Sequence, residues 1–203
     1  LGKFQIPFLI LATGLLINAT NYIDGSDGLL LTFFICCLGY YIFLIDDTKT
    51  VLLIKLLLLP VVLNLIFNLL PSKSNLKIFS GNSGSLFIGF FISFLTIELY
   101  RSFNVHPVYL IWPLWYPVYD FLFVTTNRAL QKKNVLSADN SHLHHKILIK
   151  FKKNHFKTVF LFLISNLLII YFGFLISNYS EILSLMTFIF IFFLYFTVRL
   201  KFK

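Results

Sequence analysis

The stretch NATNYIDGSDGLL, residues 18–30, gathers two asparagines and two aspartates at the foot of an apolar run, and each aspartate is followed at once by glycine. Asn18 and Asn21 sit about one helical turn apart and share a face, before the two Asp-Gly pairs break the helix into a tight loop. Gly25 and Gly28 permit backbone geometry that turns Asp24 and Asp27 toward a common space. Two carboxylates in partly apolar surroundings need a cation, a hydrogen-bond donor or a proton. Magnesium or a substrate amide would serve; a helix cap and turn built from Asn, Asp and Gly is the plain alternative.

Three further motifs carry polar groups. GNSGSLFIGF, residues 81–90, is a Gly-Ser-rich turn leading into an apolar run. Its free N–H groups suit a phosphate oxygen, and capping by Asn82, Ser83 or Ser85 explains it as well. Asp120 lies deep in YLIWPLWYPVYDFLFVTTNR and requires a partner or a wet cavity. Arg128 is on nearly the same face but about 12 Å along the axis, so a direct bond between the two is not assured. SADNSHLHHKILIK, residues 137–150, packs His142, His144 and His145 beside Lys146, with Asp139 upstream. Its spacing is a poor match to paired zinc ligands, and a basic, imidazole-bearing loop suits a diphosphate better. His106 and His155 read as solvated or interfacial, and Asp46 with Asp47 reads as a turn.

The elements that must position these groups are membrane helices. Of 203 residues, 58% are apolar and 12% charged, and 26 are Phe. At roughly 20 apolar residues per crossing, the chain holds seven candidate spans, at about 5–21, 29–45, 51–70, 84–100, 108–126, 157–177 and 183–199. The fold class is all-α, a polytopic membrane helix bundle, with residues 1–203 as a single integral membrane domain. Leu1 is followed directly by the first span with no basic flank or cleavage site, so the chain reads as a fragment whose N-terminal part is missing. Cys36 and Cys37 are adjacent within a span and point about 100° apart, which fits packing rather than a disulfide.

Lys and Arg set the orientation. The connection 127–157 carries Arg128, Lys132, Lys133, Lys146, Lys150, Lys152, Lys153 and Lys157, the segment 71–81 carries Lys73 and Lys77, and the C-terminus carries Arg199, Lys201 and Lys203. The alternate connections are poor in positive charge. The basic group is therefore expected on the cytoplasmic side, which brings the Asp-Gly loop, the GNSGS turn and the histidine loop to one face. The net charge of +9 suits anionic lipid or a phosphate-bearing substrate, and without a separate basic domain nucleic acid is not expected as a partner.

NATNYIDGSDGLL, FNLLPSKSNLKIFSGNSGSLFIGF, the PVYD of the fifth span and ADNSHLHHKIL occur in the order and spacing of the polyprenyl-phosphate N-acetylhexosaminyl-1-phosphate transferases. The chain resembles that family from Asn18 to about Leu148. The HxHH form is similar to the branch that begins O-antigen, common-antigen or teichoic-acid linkage synthesis, rather than to the peptidoglycan translocase with its three consecutive histidines. The resemblance implies a ten- or eleven-helix enzyme of the bacterial inner membrane with a cytoplasmic active face. It implies transfer of N-acetylhexosamine 1-phosphate, GlcNAc-1-phosphate foremost, from a UDP-sugar to undecaprenyl phosphate with release of UMP. Magnesium is the implied cofactor, with manganese as a substitute, and a homodimer is a further expectation. By the same resemblance, Asn21 is a metal or diphosphate contact, Asp24 lies close to the reacting phosphates, and Asp27 is a nucleotide contact. Asn18, Gly25 and Gly28 join the substrate surface, and Arg128, His142, His144 and His145 line the sugar-diphosphate end.

Two departures bear on this. Members of the family carry Asp as a direct magnesium ligand in Gly-Asp-x-Gly-Ser, and here the position is Asn82, which offers an oxygen without charge. Their paired aspartates on an earlier loop would precede Leu1. A homologue that binds lipid or nucleotide sugar without turnover is thus one rival reading, and a transporter built around Asp120 is another.

Overall fold

A computed structural model describes residues 2–134 and 142–201, all helices and connections. After a 3-10 turn at Gly2–Phe4 come α1 (Gln5–Ile23), α2 (Leu29–Phe43), α3 (Thr48–Asn68), α4 (Gly81–Ser102) and the short α5 (Pro107–Leu110). A 3-10 turn at Trp112–Leu114 leads into α6 (Trp115–Leu130), followed by α7 (Leu143–Lys150), α8 (His155–Tyr179) and α9 (Glu181–Lys201). Among the described residues, α1, α3, α4, α8 and α9 are long and apolar enough to cross a membrane. The chain is a multi-pass membrane protein.

Two of the seven expected spans differ from a plain crossing. α2 is apolar but only 15 residues long, roughly 22 Å at the usual rise. The fifth span is divided into α5, the 3-10 turn and α6, because Pro107, Pro113 and Pro117 each withhold an N–H from the helical ladder.

α2 forms the centre of the bundle. Eleven of its fifteen residues are buried, and it packs on α3, α8, α4 and the Trp112–Leu114 turn. By contrast α3 and α9 turn Leu52, Leu56, Leu59, Met186, Phe190 and Phe193 outward, as lipid-facing helices do. Helices in lipid gain little from apolar burial, so close approach at small residues matters more. At the α1–α4 crossing a Cβ on Gly89 would stand 2.7 Å from the Ile17 Cα. Thr20 Oγ1 spans this crossing, donating toward the Ser85 carbonyl at 3.2 Å. On α8, Gly173 leaves room for the fully buried Trp112 ring. The indole N–H of Trp112 donates to Ser184 Oγ of α9 at 2.9 Å, and that of Trp115 donates to Asn166 Oδ1 of α8 at 2.7 Å.

Local signals end the helices where the site needs loops. α1 stops at the first Asp-Gly pair, and Gly28 takes a left-handed φ of 78° to start α2. Asp47 caps α3 by accepting from Thr50 N–H at 2.8 Å, which fits the turn expected there. His106, exposed, caps α5 and faces Glu181 at 3.3 Å. Cys36 and Cys37 are buried free thiols.

Candidate functional site

The α1–α2 loop, the start of α4, the first two turns of α6, and α7 come together in the bundle. The most direct evidence is at Gly25. A Cβ there would lie 2.7 Å from His145 Cε1 and Nε2, and 3.2 Å from His144 Nε2. Residues about 120 positions apart in sequence are thus in contact, and glycine is what permits it.

α6 holds the histidines. Tyr116 and Asp120 are one turn apart on its inner face, both buried. The Tyr116 hydroxyl is 2.9 Å from His144 Nδ1, and Asp120 Oδ2 is 2.7 Å from His142 Nδ1. Since a carboxylate only accepts, His142 carries its proton on Nδ1. Asp120 Oδ1 also accepts the N–H of Leu143 at 3.1 Å, fixing the first turn of α7. His142 stacks on Tyr22 of α1 at 5.1 Å, and its ring centroid is 5.6 Å from that of His144. His144 Nε2 is buried, has no hydrogen-bond partner among the described residues and lies on the Gly25 side. Burial, and then His145 beside it, pull the His144 imidazole down to about 3, so it is neutral near neutral pH.

The carboxylates are divided between two environments. Burial, and then the charge of Asp27, push the half-buried Asp24 up to about 6. Asp27 instead is paired with Lys77, whose Nζ stands 2.6 Å from Oδ2 and also donates to the Leu70 carbonyl at 2.9 Å. The Asp27 N–H donates to His155 Nδ1 at 3.2 Å. Asn68 fastens the loop from below: its Oδ1 accepts from the Gly28 N–H, and its Nδ2 donates to the Ile78 carbonyl at 2.7 Å. Asn21 Oδ1 accepts from Ser85 Oγ at 2.7 Å, and Ser85 also donates to the Asn82 carbonyl at 3.0 Å. Asn82 is exposed on the first turn of α4, one turn before Ser85, so the GNSGS turn and Asn21 are joined through that serine.

Most of the residues singled out from the sequence therefore come together: Asn21, Asp24, Gly25, Asp27, Gly28, Asn82, His142, His144 and His145. Asn18 is exposed and turns its amide back on the Gly14 carbonyl at 2.7 Å. Arg128 is buried near the end of α6, but the groups drawn up to Asp120 are His142, Tyr195 and Arg199. Asp139 lies outside the described residues. The alternative that Asn82, Ser83 or Ser85 caps α4 is not what the fold shows: among the described residues no side chain caps that helix, and Ser85 is bonded to Asn21 instead. His155 is also corrected: half-buried against Ser26 and Asp27, it belongs to the loop rather than to solvent.

Lys77, Asn68, Tyr116 and Tyr22 escaped the sequence reading. An amide within an otherwise apolar helix end was the available signal for Asn68. Nothing in the spacing of Tyr22 or Tyr116 set them apart from packing aromatics. Among the described residues no group of three or more His, Cys, Asp and Glu side chains is arranged to hold a metal by itself.

Residues 2–100 match the family model described as glycosyl transferase family 4. A probable undecaprenyl-phosphate N-acetylglucosaminyl 1-phosphate transferase of Bacillus subtilis (strain 168) is 32% identical over 153 residues, 73% of this chain and 42% of the relative. The undecaprenyl-phosphate alpha-N-acetylglucosaminyl 1-phosphate transferase of Escherichia coli (strain K12) is 26% identical over 155 residues, again 73% of this chain and 42% of the relative. That of Yersinia pestis is 26% identical over 156 residues with the same shares. The chain spans about two fifths of the length of these relatives. No solved structure matches. The family match covers the Asp-Gly loop and the GNSGS turn that Ser85 joins, and over residues 2–100 the chain is similar to glycosyl transferase family 4.

Proposed function

We propose that the protein of which this chain is part transfers N-acetylglucosamine 1-phosphate from UDP-N-acetylglucosamine to undecaprenyl phosphate and releases UMP. This would be the first membrane step of a cell-surface glycan such as O-antigen or a wall polymer. The site would lie on the cytoplasmic face of the bacterial inner membrane, since the positive-inside pattern puts the 127–157 connection there. The relatives named above are transferases of this kind. The observation that carries the reading is the seating of His144 and His145 on Gly25, beside Asp24.

In this reaction an oxygen of the lipid phosphate bonds to the phosphorus that carries the sugar, and the bond from that phosphorus to UMP breaks. Both reactants are anions, so the protein's work is to hold and neutralise them rather than to supply a nucleophile. His145 offers an N–H donor to a diphosphate, His142 is held beside it by Asp120, and Lys77 keeps Asp27 paired so that it does not repel one. Asp24 is the carboxylate without such a cation partner at 4 Å or less among the described residues.

A divalent cation fits the donor chemistry. Asp24, Asn21 and Asn82 offer oxygens, as magnesium requires, and magnesium commonly uses one or two carboxylates with substrate phosphate and water completing its shell. When bound it would withdraw charge from the phosphates. Asn82 in place of Asp lowers the charge available to it.

The test uses the full-length protein in detergent with labelled UDP-N-acetylglucosamine, undecaprenyl phosphate and magnesium. Lipid-linked product with UMP release is expected, and Asp24→Ala should abolish it. Asn82→Asp should raise the rate or lower the magnesium requirement. Asn82 also favours a second reading, binding without turnover, which predicts that the full-length protein retains UDP-sugar or undecaprenyl phosphate and forms no UMP.

A further inference from the structure

α9 lies at the outside of the bundle, with Ser184 and Arg199 its only buried residues. An arginine near the end of a lipid-facing helix ordinarily extends toward the headgroups and water. Arg199 does the opposite. Its side chain is 1% exposed, its guanidinium lies 4.8 Å over the Phe123 ring, and Nη2 stands 3.5 Å from Asp120 Oδ1. One turn earlier, the Tyr195 hydroxyl donates to the same Asp120 oxygen at 2.6 Å. Tyr195 and Arg199, four residues apart, thus converge on one carboxylate of α6. That carboxylate uses its other oxygen for His142 Nδ1 and shares the first with the Leu143 N–H.

We propose that Tyr195 and Arg199 of α9 are positioning residues: through Asp120 they set the His142 ring and the first turn of α7, and so the placement of His144 and His145 on Gly25. The family model ends at residue 100, well before α9. A carboxylate with several lone pairs can rotate among donors, and one whose second oxygen is held by a hydroxyl and a guanidinium of a fixed helix cannot. Burying an arginine is tolerable because Asp120 answers its charge, and the pair then locks one rotamer of Asp120. Nothing in lipid anchoring of α9 requires either residue to face inward. The inference rests on the functional reading above for its kinetic consequence, but its structural consequence stands apart from it.

The test compares full-length protein with Tyr195→Phe, Arg199→Met and Arg199→Lys, each purified in detergent. Phe keeps the ring packing against Tyr119 and Phe123 and removes one hydroxyl. For Tyr195→Phe and Arg199→Met we expect kcat to fall about tenfold, as for a modest misplacement of contacting groups. KM for UDP-N-acetylglucosamine should stay near the parent value in both. The melting midpoint should stay near the parent for Tyr195→Phe and fall for Arg199→Met, which leaves the buried Asp120 without its cation, and Arg199→Lys should recover most of the rate. In parallel, diethyl pyrocarbonate labelling is read by mass spectrometry. His142 and His144 are 2% and 0% exposed in the parent, and both should label faster in the Phe and Met variants, with exposed His106 as the unchanged reference. Parental protection of His142 and His144 in both variants would overturn the proposal, whatever the rate. So would a rate loss that merely follows the fraction of folded protein. Faster labelling in a protein that forms no lipid-linked product would uphold the positioning role and overturn the functional reading instead.

Discussion

His145 stands with its Cε1 and Nε2 atoms 2.7 Å from the point a β-carbon on Gly25 would occupy. This contact joins the Asp-Gly loop to the histidine helix. Gly25→Ala should push the imidazole off the loop and lower sugar-phosphate transfer by about a hundredfold. Gly14→Ala, where a Cβ meets nothing within 4 Å, is the control and should leave the rate unchanged. Equal rates for the two variants would show that the contact has no part in the reaction.

Asp24 yields a pH prediction with two opposite signs. Burial, then Asp27, lift its carboxyl to about 6 from a usual value of 3.8. The folded-state value is raised, so its share of stability is fully present below pH 3.8 and is lost as pH rises through about 6. Asp24→Asn should therefore raise the melting midpoint at pH 8 in magnesium-free buffer, and raise it less at pH 5. Activity should move the other way: a cation needs the ionised form, so parental transfer should decline as pH falls below about 6. A melting midpoint indifferent to Asp24→Asn at pH 8 would contradict the burial argument.

The Lys77–Asp27 pair is testable by a double-mutant cycle. Their side chains are 5% and 20% exposed. Lys77→Met leaves Asp27 facing a half-buried loop without its cation and should destabilise the protein by about 2 kcal/mol, less than a fully buried pair would show. Asp27→Asn in the same chain should recover part of that loss. Unfolding in detergent measures both; strict additivity of the two substitutions would mean the ion pair contributes nothing.

Gly173 concerns the scaffold alone. Its Cβ would fall 2.0 Å from Trp112 Cδ2, and the indole is held by Ser184. Gly173→Ala should destabilise by about 3 kcal/mol through overpacking. Transfer per folded molecule should change little, because Gly173 lies about five turns along α8 from His155 at the helix start. A melting midpoint equal to the parent would show that the ring moves aside freely.

Asn21, Asp24 and the three histidines stood out as polar groups in the sequence, because a membrane chain keeps clustered polar groups only where they are answered by ligand or by each other; the roles assigned to them came from the resemblance. Runs of apolar residues near 20 long likewise marked α1, α3, α4, α8 and α9, since that length follows from bilayer thickness. The division of the fifth span at Trp112–Leu114 was foreshadowed only by its prolines.

What tertiary structure alone decided is which group meets which. Helical periodicity compared Asp120 with Arg128, because both lie on α6; the fold instead brought His142, Tyr195 and Arg199 to it from two other segments. His155 and Lys77 looked like members of a solvated basic set, and packing carried them onto Asp27. Local sequence dictates where a helix begins, ends and turns its apolar face. The register in which distant helices pass one another is set by side-chain fit at crossings such as Gly89 on Ile17 and Gly173 around Trp112, and it is that register which selects the partner of every buried charge.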